Sequence, residues 1–285
     1  MTIDNFAIII GSMKCGTTYL FNYLSQHPEI APCEPKEPEF FTIHHEQGFE
    51  WYESLFQFDP AIHKVALEGS TGYTKYPYWY PNAAAKLQDA HIQAKFIYVV
   101  RDPIERVESH YNFGIVHGWS RDRDILDDNA IHCSMYAKQL DEYVKRFPKD
   151  DILILNFDDI KADMAGVANR VFRFLGLHEL NPKQFQEVKT SDRNYTAEQS
   201  AESDFYYQLK QTIRIKGLYQ KLLPHTVRTA INSLFKRKLK DKKQLNLAEK
   251  QQLVEHLRDD LIRLRDDYQV DISGWSITPL LELRR

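Results

Sequence analysis

The chain has 285 residues, of which 43% are hydrophobic and 27% are charged, and its formal net charge at pH 7 is −3. These fractions are typical of a globular protein, and the length suits one large or two small domains. The slightly negative charge argues against a nucleic-acid-binding protein, because such proteins carry a basic surface. No apolar run approaches the roughly 20 residues of a membrane-spanning helix.

The cysteines and the first residues indicate the compartment. Cys15, Cys33 and Cys133 are odd in number and lack metal-ligand spacing, so we expect free thiols in a reducing environment. Residues 1–10 lack the basic start and cleavage site of a signal peptide. We therefore expect a cytoplasmic protein. The acidic residues show no clustering suited to a metal, and we predict no essential metal ion.

The first predicted elements are a strand, a turn and a helix within residues 6–24. The first five of these residues form an apolar run that suits a buried parallel strand. The segment from Gly11 to Gly16 predicts a tight turn, and the helical spacing that begins at Thr17 ends before Pro28. The free N–H groups of the first helical turn and the positive end of the helix dipole favour an anion at the turn.

The composition of this turn indicates a phosphate or phosphosulfate site. Lys14 adds a positive charge, and the hydroxyl groups of Thr17 and Thr18 add hydrogen-bond donors. A Walker A motif has its lysine after the second glycine, whereas Lys14 lies inside the loop. An ordinary turn with a surface lysine is the alternative interpretation. For Cys15 we favour an unreactive small residue over a thiol whose pKa is lowered by the helix and Lys14.

The next segment contains the candidates for a catalytic base. Three prolines within residues 29–42 predict an extended connection, and Phe40-Phe41 is expected to anchor it to the core. Extended backbone places alternate side chains on one face, so alternation does not separate Glu37 from Glu39. The candidates in this region for accepting a proton are Glu37, its nearest rivals Glu34 and Glu39, and His44.

Strands alternating with helices follow, which predicts an α/β fold with a mostly parallel sheet. The further predicted strands are residues 65–69, 95–100 and 152–157. Asp102 is suited to cap a helix that begins at Pro103. Arg101 therefore lies at the carboxyl end of a strand, where ligands gather in such sheets, and Ser109 lies two turns into the helix. An arginine there can hold a phosphate through two parallel hydrogen bonds.

Three later segments complete the prediction. The loop at residues 70–81 is rich in tyrosine and proline. It could line a cleft that binds a sugar or another hydroxylated molecule, or it could be a rigid, packed loop, and the sequence supports the two interpretations equally. The basic residues 236–243 favour a solvated surface over contact with an acidic acceptor or a membrane. Asn246 and Glu249 form a capping box that begins a long final helix with a leucine stripe.

Four stretches of the chain resemble sulfotransferases that use 3′-phosphoadenosine 5′-phosphosulfate (PAPS), and most closely the soluble bacterial form of the heparan-sulfate N- and O-sulfotransferase-like branch. The stretches are residues 10–18, Lys-Glu-Pro-Glu-Phe-Phe at 36–41, residues 99–111, and the end of the last helix through Asp271-Ile-Ser-Gly-Trp275. The resemblance implies a P-loop-like parallel sheet flanked by helices. We expect one domain over residues 1–285, with a core at 5–177 and a helical part at 178–285.

The resemblance also assigns roles to individual residues. It implies that the 5′-phosphosulfate is held by Lys14 and by the N–H groups of Cys15, Gly16, Thr17 and Thr18. It further implies that Arg101 and Ser109 hold the 3′-phosphate, that Glu37 is the catalytic carboxylate, and that Arg193 closes over the nucleotide. PAPS would be the co-substrate. Heparan-type members carry a lysine where this chain has Gly69, so the acceptor side is expected to differ.

Two other function classes remain as alternatives. A nucleotide kinase or related NTPase could use a similar loop, although the position of Lys14 and the lack of a suitable aspartate for Mg²⁺ argue against it. A non-catalytic sulfonucleotide- or glycan-binding protein would not need both Glu37 and Lys14. For a sulfotransferase, the sequence leaves open whether the acceptor is a carbohydrate, a lipid, a polyketide or a small phenol. The oligomeric state is also open.

Overall fold

A computed structural model describes residues 3–120, 123–185, 200–202, 236–238 and 242–282. Its central sheet has five strands, all parallel, in the order β2-β3-β1-β4-β5. The strands are β1 (Asn5–Gly11), β2 (Ile30–Pro32), β3 (Val65–Gly69), β4 (Gln93–Val100) and β5 (Ile152–Asn156). The predicted α/β class is confirmed. A separate antiparallel pair joins β6 (Ser200–Glu202) and β7 (Lys236–Lys238).

Helices follow most strands of the sheet. They are α1 (Thr17–Leu24), α2 (Phe49–Ser54), α3 (Ala83–Asp89), α4 (Pro103–His117), α5 (Asp128–His132), α6 (Tyr136–Val144), α7 (Phe157–Ala162), α8 (Met164–Leu175), α9 (Leu247–Asp266) and α10 (Thr278–Glu282). In the described part of the chain, no helix combines the length and apolar character needed to cross a bilayer.

The structure corrects three details of the sequence-based prediction. Residues 30–32, expected as part of an extended connection, form the short edge strand β2. Phe157, expected in β5, begins α7, because the Asn156 side chain accepts the Asp158 N–H at 3.1 Å and caps the new helix. The long helix α9 is followed by α10, so it is not the last helix.

The sheet is buried on both faces. Along β1, Phe6, Ile8 and Ile10 belong to one apolar cluster, which also contains side chains of α3, α6 and α9. The alternate residues Ala7 and Ile9 belong to a second cluster with side chains of α1 and α8. This alternation follows from the two-residue period of a strand. It explains why β1 reads as a continuous apolar run.

The predicted helix caps are present. The Asp102 carboxylate accepts the Ile104 N–H at 3.0 Å, and its other oxygen accepts the Ser276 N–H at 2.6 Å. Asn246 and Glu249 form the expected capping box at the start of α9. The cap at Asp102 therefore also ties α4 to the segment between α9 and α10.

Helix α9 is attached to the fold by an apolar stripe and one acidic side chain. Leu253, Leu257, Leu261 and Leu264 are all fully buried. Beside them, the Asp260 carboxylate accepts the N–H groups of Ala137 at 3.0 Å and Lys138 at 2.8 Å. These N–H groups lie in the first turn of α6, where a helix has no carbonyl partners of its own. Asp260 thus caps a helix that lies far away in sequence.

Replacing Asp260 with Ala is expected to lower the free energy of unfolding by about 1–3 kcal/mol, because two backbone donors lose their acceptor. Urea denaturation at neutral pH, followed by circular dichroism, measures this change. Asp259→Ala is the matched control, since the neighbouring side chain is exposed, and it should change stability by less than about 0.5 kcal/mol. Equal effects of the two substitutions would contradict the capping role.

Candidate functional site

The glycine-rich turn connects β1 to α1 at the carboxyl edge of the sheet. Gly11 has φ of 156° and Gly16 has φ of 81°, both in the region that favours glycine. A Cβ atom at Gly11 would overlap the Thr74 hydroxyl, and one at Gly16 would overlap the Phe157 ring. Both glycines are therefore required by their conformation and by their close neighbours.

Hydrogen bonds fix the backbone of the turn. Ser12 donates its N–H to the Val99 carbonyl at 2.9 Å and its hydroxyl to the Cys133 carbonyl at 3.0 Å. The Cys15 N–H donates to the Ser12 carbonyl at 3.2 Å. The Cys15 side chain is fully buried, and burial raises the pKa of its thiol. These contacts favour the interpretation of Cys15 as an unreactive residue that shapes the turn.

The first turn of α1 faces this loop. Thr17 is buried, whereas Thr18 is exposed. At the start of a helix, the N–H groups lack carbonyl partners within the helix, and the helix dipole places partial positive charge there. The loop and helix together form an anion-binding geometry at the carboxyl edge of the sheet.

Lys14 supplies the positive charge at this edge. It has a φ of 70°, and its ammonium lies 3.8 Å from the centroid of the Phe113 ring on α4. Burial, and secondarily the nearby Arg101 guanidinium, lower the pKa of Lys14 to about 8. The ammonium is therefore still mostly charged at neutral pH, and a bound anion would favour that charged form.

Arg101 connects the end of β4 to the loop. Its Nη1 donates to the Lys14 carbonyl at 3.0 Å. Its Nε and Nη2 donate to Glu105 Oε2 at 3.1 and 2.9 Å, and its guanidinium lies 4.8 Å from the Phe157 ring centroid. Ser109 lies one helical turn beyond Glu105, so both share one face of α4. The structure therefore brings Arg101 to the loop and places Ser109 along the face that Arg101 contacts.

The structure distinguishes Glu37 from Glu39, which the sequence pattern did not. Glu37 is exposed, and its Oε1 accepts from Lys36 Nζ at 2.9 Å. Its charge acts on Lys14, where it favours the ammonium form. The Glu39 carboxylate instead accepts from the Gly72 N–H at 2.9 Å and the Thr42 hydroxyl at 2.5 Å. Glu39 therefore holds the backbone, and Glu37 is the carboxylate available near Lys14.

Glu68 is a buried ionisable residue beside the site that sequence analysis did not identify. It is fully buried on β3 and accepts hydrogen bonds from the hydroxyls of Tyr52, Tyr73 and Ser70 at 2.8–2.9 Å. Burial raises its pKa to about 7. Ser70 in turn accepts the Glu39 N–H, and Tyr73 accepts the Phe41 N–H. The sequence feature that could have revealed Glu68 is its position as an ionisable residue inside an apolar strand. Such residues are rarely buried unless they are hydrogen-bonded or paired.

Among the described residues, one group has ligand atoms close enough for a metal ion, namely His27, Glu29 and His178. These residues flank the carboxyl ends of α1 and α8, away from the glycine-rich turn. The His27 ring nitrogens contact the Glu29 N–H at 3.2 Å and the His178 carbonyl at 3.1 Å, so coordination of a metal by His27 would cost at least one of these contacts. Arg193 lies outside the described residues.

Comparison with known proteins shows the following similarities. The family described as "Sulfotransferase domain" matches residues 4–243. Heparan sulfate glucosamine 3-O-sulfotransferase 3A1 of Mus musculus is 31% identical over 189 residues, which cover 61% of this chain and 46% of that protein. The membrane-associated sulfotransferase kil1 of Dictyostelium discoideum is 38% identical over 115 residues, covering 40% of this chain and 24% of that protein.

A solved structure has the same fold. The crystal structure of a sulfotransferase from Alicyclobacillus acidocaldarius has a TM-score of 0.64 and 19% identity, with coverage of 96% of this chain and 99% of that one. The chain spans less than half the length of these two curated relatives.

The Glu68 cluster generates a prediction for the pH dependence of stability. The folded protein retains the Glu68 proton up to a pH of about 7, whereas the unfolded chain releases it near 4.5. This group therefore lowers stability as the pH rises from 4.5 to 7, by on the order of 3 kcal/mol at 1.36 kcal/mol per pKa unit.

Glu68→Gln removes this titration and keeps the size of the side chain. We expect the wild-type stability, measured relative to the variant by urea denaturation, to fall between about pH 4.5 and 7 and to level off above. The control Glu46→Gln changes an exposed carboxylate and should change stability by less than about 0.5 kcal/mol. Parallel curves for wild type and Glu68→Gln would contradict the raised pKa.

Proposed function

This chain belongs to the sulfotransferase domain family, and from that membership we propose that it transfers a sulfuryl group from PAPS to a hydroxyl or amine of an acceptor by in-line transfer. One observation carries the proposal. A glycine-rich anion-binding loop with a charged Lys14 lies beside an available carboxylate, Glu37, at the carboxyl edge of a parallel sheet.

We assign the nucleotide to two sets of groups. Lys14 and the N–H groups of residues 15–18 would hold the 5′-phosphosulfate, with the Cys15 N–H leaving its bond to Ser12 or sharing it. Arg101 and Ser109 would hold the 3′-phosphate. The contact between Arg101 and the Lys14 carbonyl supports this arrangement, because it places both parts of the nucleotide site within one connected unit.

Lys14 has the principal electrostatic role in this proposal. As the sulfuryl group leaves, negative charge develops on the phosphate of the nucleotide. A preorganised ammonium and backbone N–H groups stabilise such charge most effectively where water is excluded. Burial of Lys14 away from water lowers its pKa to about 8, which supports a site from which water is largely excluded.

Glu37 is the proposed general base. An acceptor hydroxyl is a weak nucleophile near neutral pH, and a positioned carboxylate can remove its proton as the bond to sulfur forms. The hydrogen bonds that occupy Glu39 support this choice over the neighbouring carboxylate. The other candidate base, His44, is exposed, and its ring centroid lies 5.6 Å from the ring centroid of Trp51.

For the acceptor, we propose a carbohydrate or another hydroxylated small molecule. The name of the mouse relative supports a heparan-type polysaccharide as the first candidate to test. In the tyrosine-rich loop, Tyr78 and Trp79 are 56% and 48% exposed. Exposed aromatic faces of this kind can stack on sugar rings, which supports the acceptor-lining interpretation of the loop.

Two experiments test the proposed function. Calorimetry should detect binding of adenosine 3′,5′-bisphosphate (PAP), the product of PAPS, in preference to ATP with Mg²⁺. Transfer of labelled sulfate from PAPS should then be assayed with heparan sulfate and with an extract of the producing cell, and the labelled product identified by mass spectrometry. Tight ATP binding without PAP binding would favour a nucleotide kinase or related NTPase instead.

Arg101 is predicted to recognise the 3′-phosphate. Arg101→Ala should weaken PAP binding by about 2–4 kcal/mol, because a charge-assisted bidentate contact is lost. Affinity for adenosine 5′-phosphosulfate, which lacks that phosphate, should change much less. Because Arg101 also contacts the Lys14 carbonyl, Arg101→Lys serves as a second variant that retains the charge. Equal weakening of both ligands in both variants would show that Arg101 supports the loop alone.

Glu37→Gln is predicted to lower turnover by roughly 10²–10⁴-fold, the usual effect of losing an acid–base group, while PAP binding survives. Glu39→Gln is the matched control and should reduce turnover much less. Sulfate-transfer rates and PAP calorimetry measure the two effects separately. Near-normal turnover of Glu37→Gln, together with a collapse in Glu39→Gln or His44→Ala, would identify a different base.

A further inference from the structure

Lys36 makes an unusual contact with the residue that follows it. Its ammonium donates to Glu37 Oε1 at 2.9 Å and to the Gly69 carbonyl at 3.4 Å. The same ammonium lies 5.9 Å from the Phe21 ring centroid. The Lys36 side chain is only 16% exposed, compared with 42% for Glu37. A largely buried lysine therefore holds an exposed carboxylate.

The chain bends at residues 34–36, and the side chains of Lys36 and Glu37 meet although the two residues are adjacent in sequence. Here the lysine chain runs inward along the end of β3 and its ammonium returns to Glu37. A Cβ atom at Gly69 would lie in van der Waals contact with Lys36, at 3.6 Å from Cε and 3.7 Å from Nζ, so the lysine side chain passes directly against the end of β3. A side chain longer than alanine at Gly69 would compete with Lys36 for that space.

We propose that Lys36 is a positioning residue for the Glu37 carboxylate, a role that rests on the proposed function of this site. A glutamate side chain that is 42% exposed has several accessible rotamers. The ammonium, itself fixed by the Gly69 carbonyl, restricts Oε1 to one place.

The position of Lys36 and Glu37 in the fold suits the alignment of the Glu37 carboxylate. Gly69 ends β3, the strand that pairs directly with β1, and β1 leads into the loop that contains Lys14. Glu37 is thus held by Lys36, and its charge favours the ammonium form of Lys14 in the loop. A carboxylate held in this way is aligned before the acceptor arrives, and misplacement of a reacting group by about 1 Å can cost on the order of 10²-fold in rate.

The test separates positioning from nucleotide binding and from folding. Lys36→Met should lower sulfate transfer from PAPS by roughly 10- to 100-fold, with PAP affinity by calorimetry unchanged within about twofold. Lys36→Arg should restore most of the rate, because a guanidinium can also hold a carboxylate. The matched control is Lys64→Met, since Lys64 pairs with Glu29 at 2.5 Å before the other end of β3, and it should leave the rate unchanged.

A double variant identifies the residue through which Lys36 acts. If Lys36 works through Glu37, Lys36→Met combined with Glu37→Gln should be no slower than Glu37→Gln alone. Additive losses, or a loss of PAP affinity in Lys36→Met, would overturn the positioning role. A wild-type protein that transfers no sulfate to heparan sulfate or to the cell extract would instead overturn the proposed function and this role with it.

Discussion

The burial of the Glu68 carboxylate is the constraint on which the arrangement of the site depends. A carboxyl group without solvent exposure must find hydrogen-bond donors inside the protein, and three hydroxyls supply them. Two of these hydroxyls also accept N–H groups from the segment that follows Glu37. The requirement to satisfy one buried acid therefore determines where the proposed base segment lies against the sheet.

The glycine-rich loop is held by hydrogen bonds from β4 and from the turn after β3. Arg101 binds the Lys14 carbonyl, and the backbone of Ser12 binds the end of β4. Thr74 donates its hydroxyl to the Ile10 carbonyl and so links the loop to the turn after β3. The base segment and the loop are thus both attached to β3 and its following turn. Their relative placement is set by hydrogen bonds between elements distant in sequence.

The difference between local sequence patterns and hydrogen bonds between distant elements explains how much of the fold and the site could be predicted from the sequence. The strands at 65–69 and 95–100 and the caps at Asp102 and Asn246 depend on local patterns, and the structure confirms them. β2 was missed because Pro32 lacks an N–H and argues against a strand, although an edge position tolerates it. The choice between Glu37 and Glu39 could not be made from alternation. It depends on the Gly72 N–H, which is distant in sequence and contacts only one of them.

The cap that Asp260 provides for α6 couples the end of the chain to the loop. The first residue of α6, Tyr136, donates its hydroxyl to the Arg101 carbonyl at 2.7 Å. Asp102, the next residue, is held by Ser276. The central sheet therefore has a C-terminal brace, which reaches the glycine-rich loop through the successive residues Arg101 and Asp102. A fragment that stops at residue 177 would keep every strand of the central sheet but lose the Asp260 cap on α6 and the Ser276 contact with Asp102.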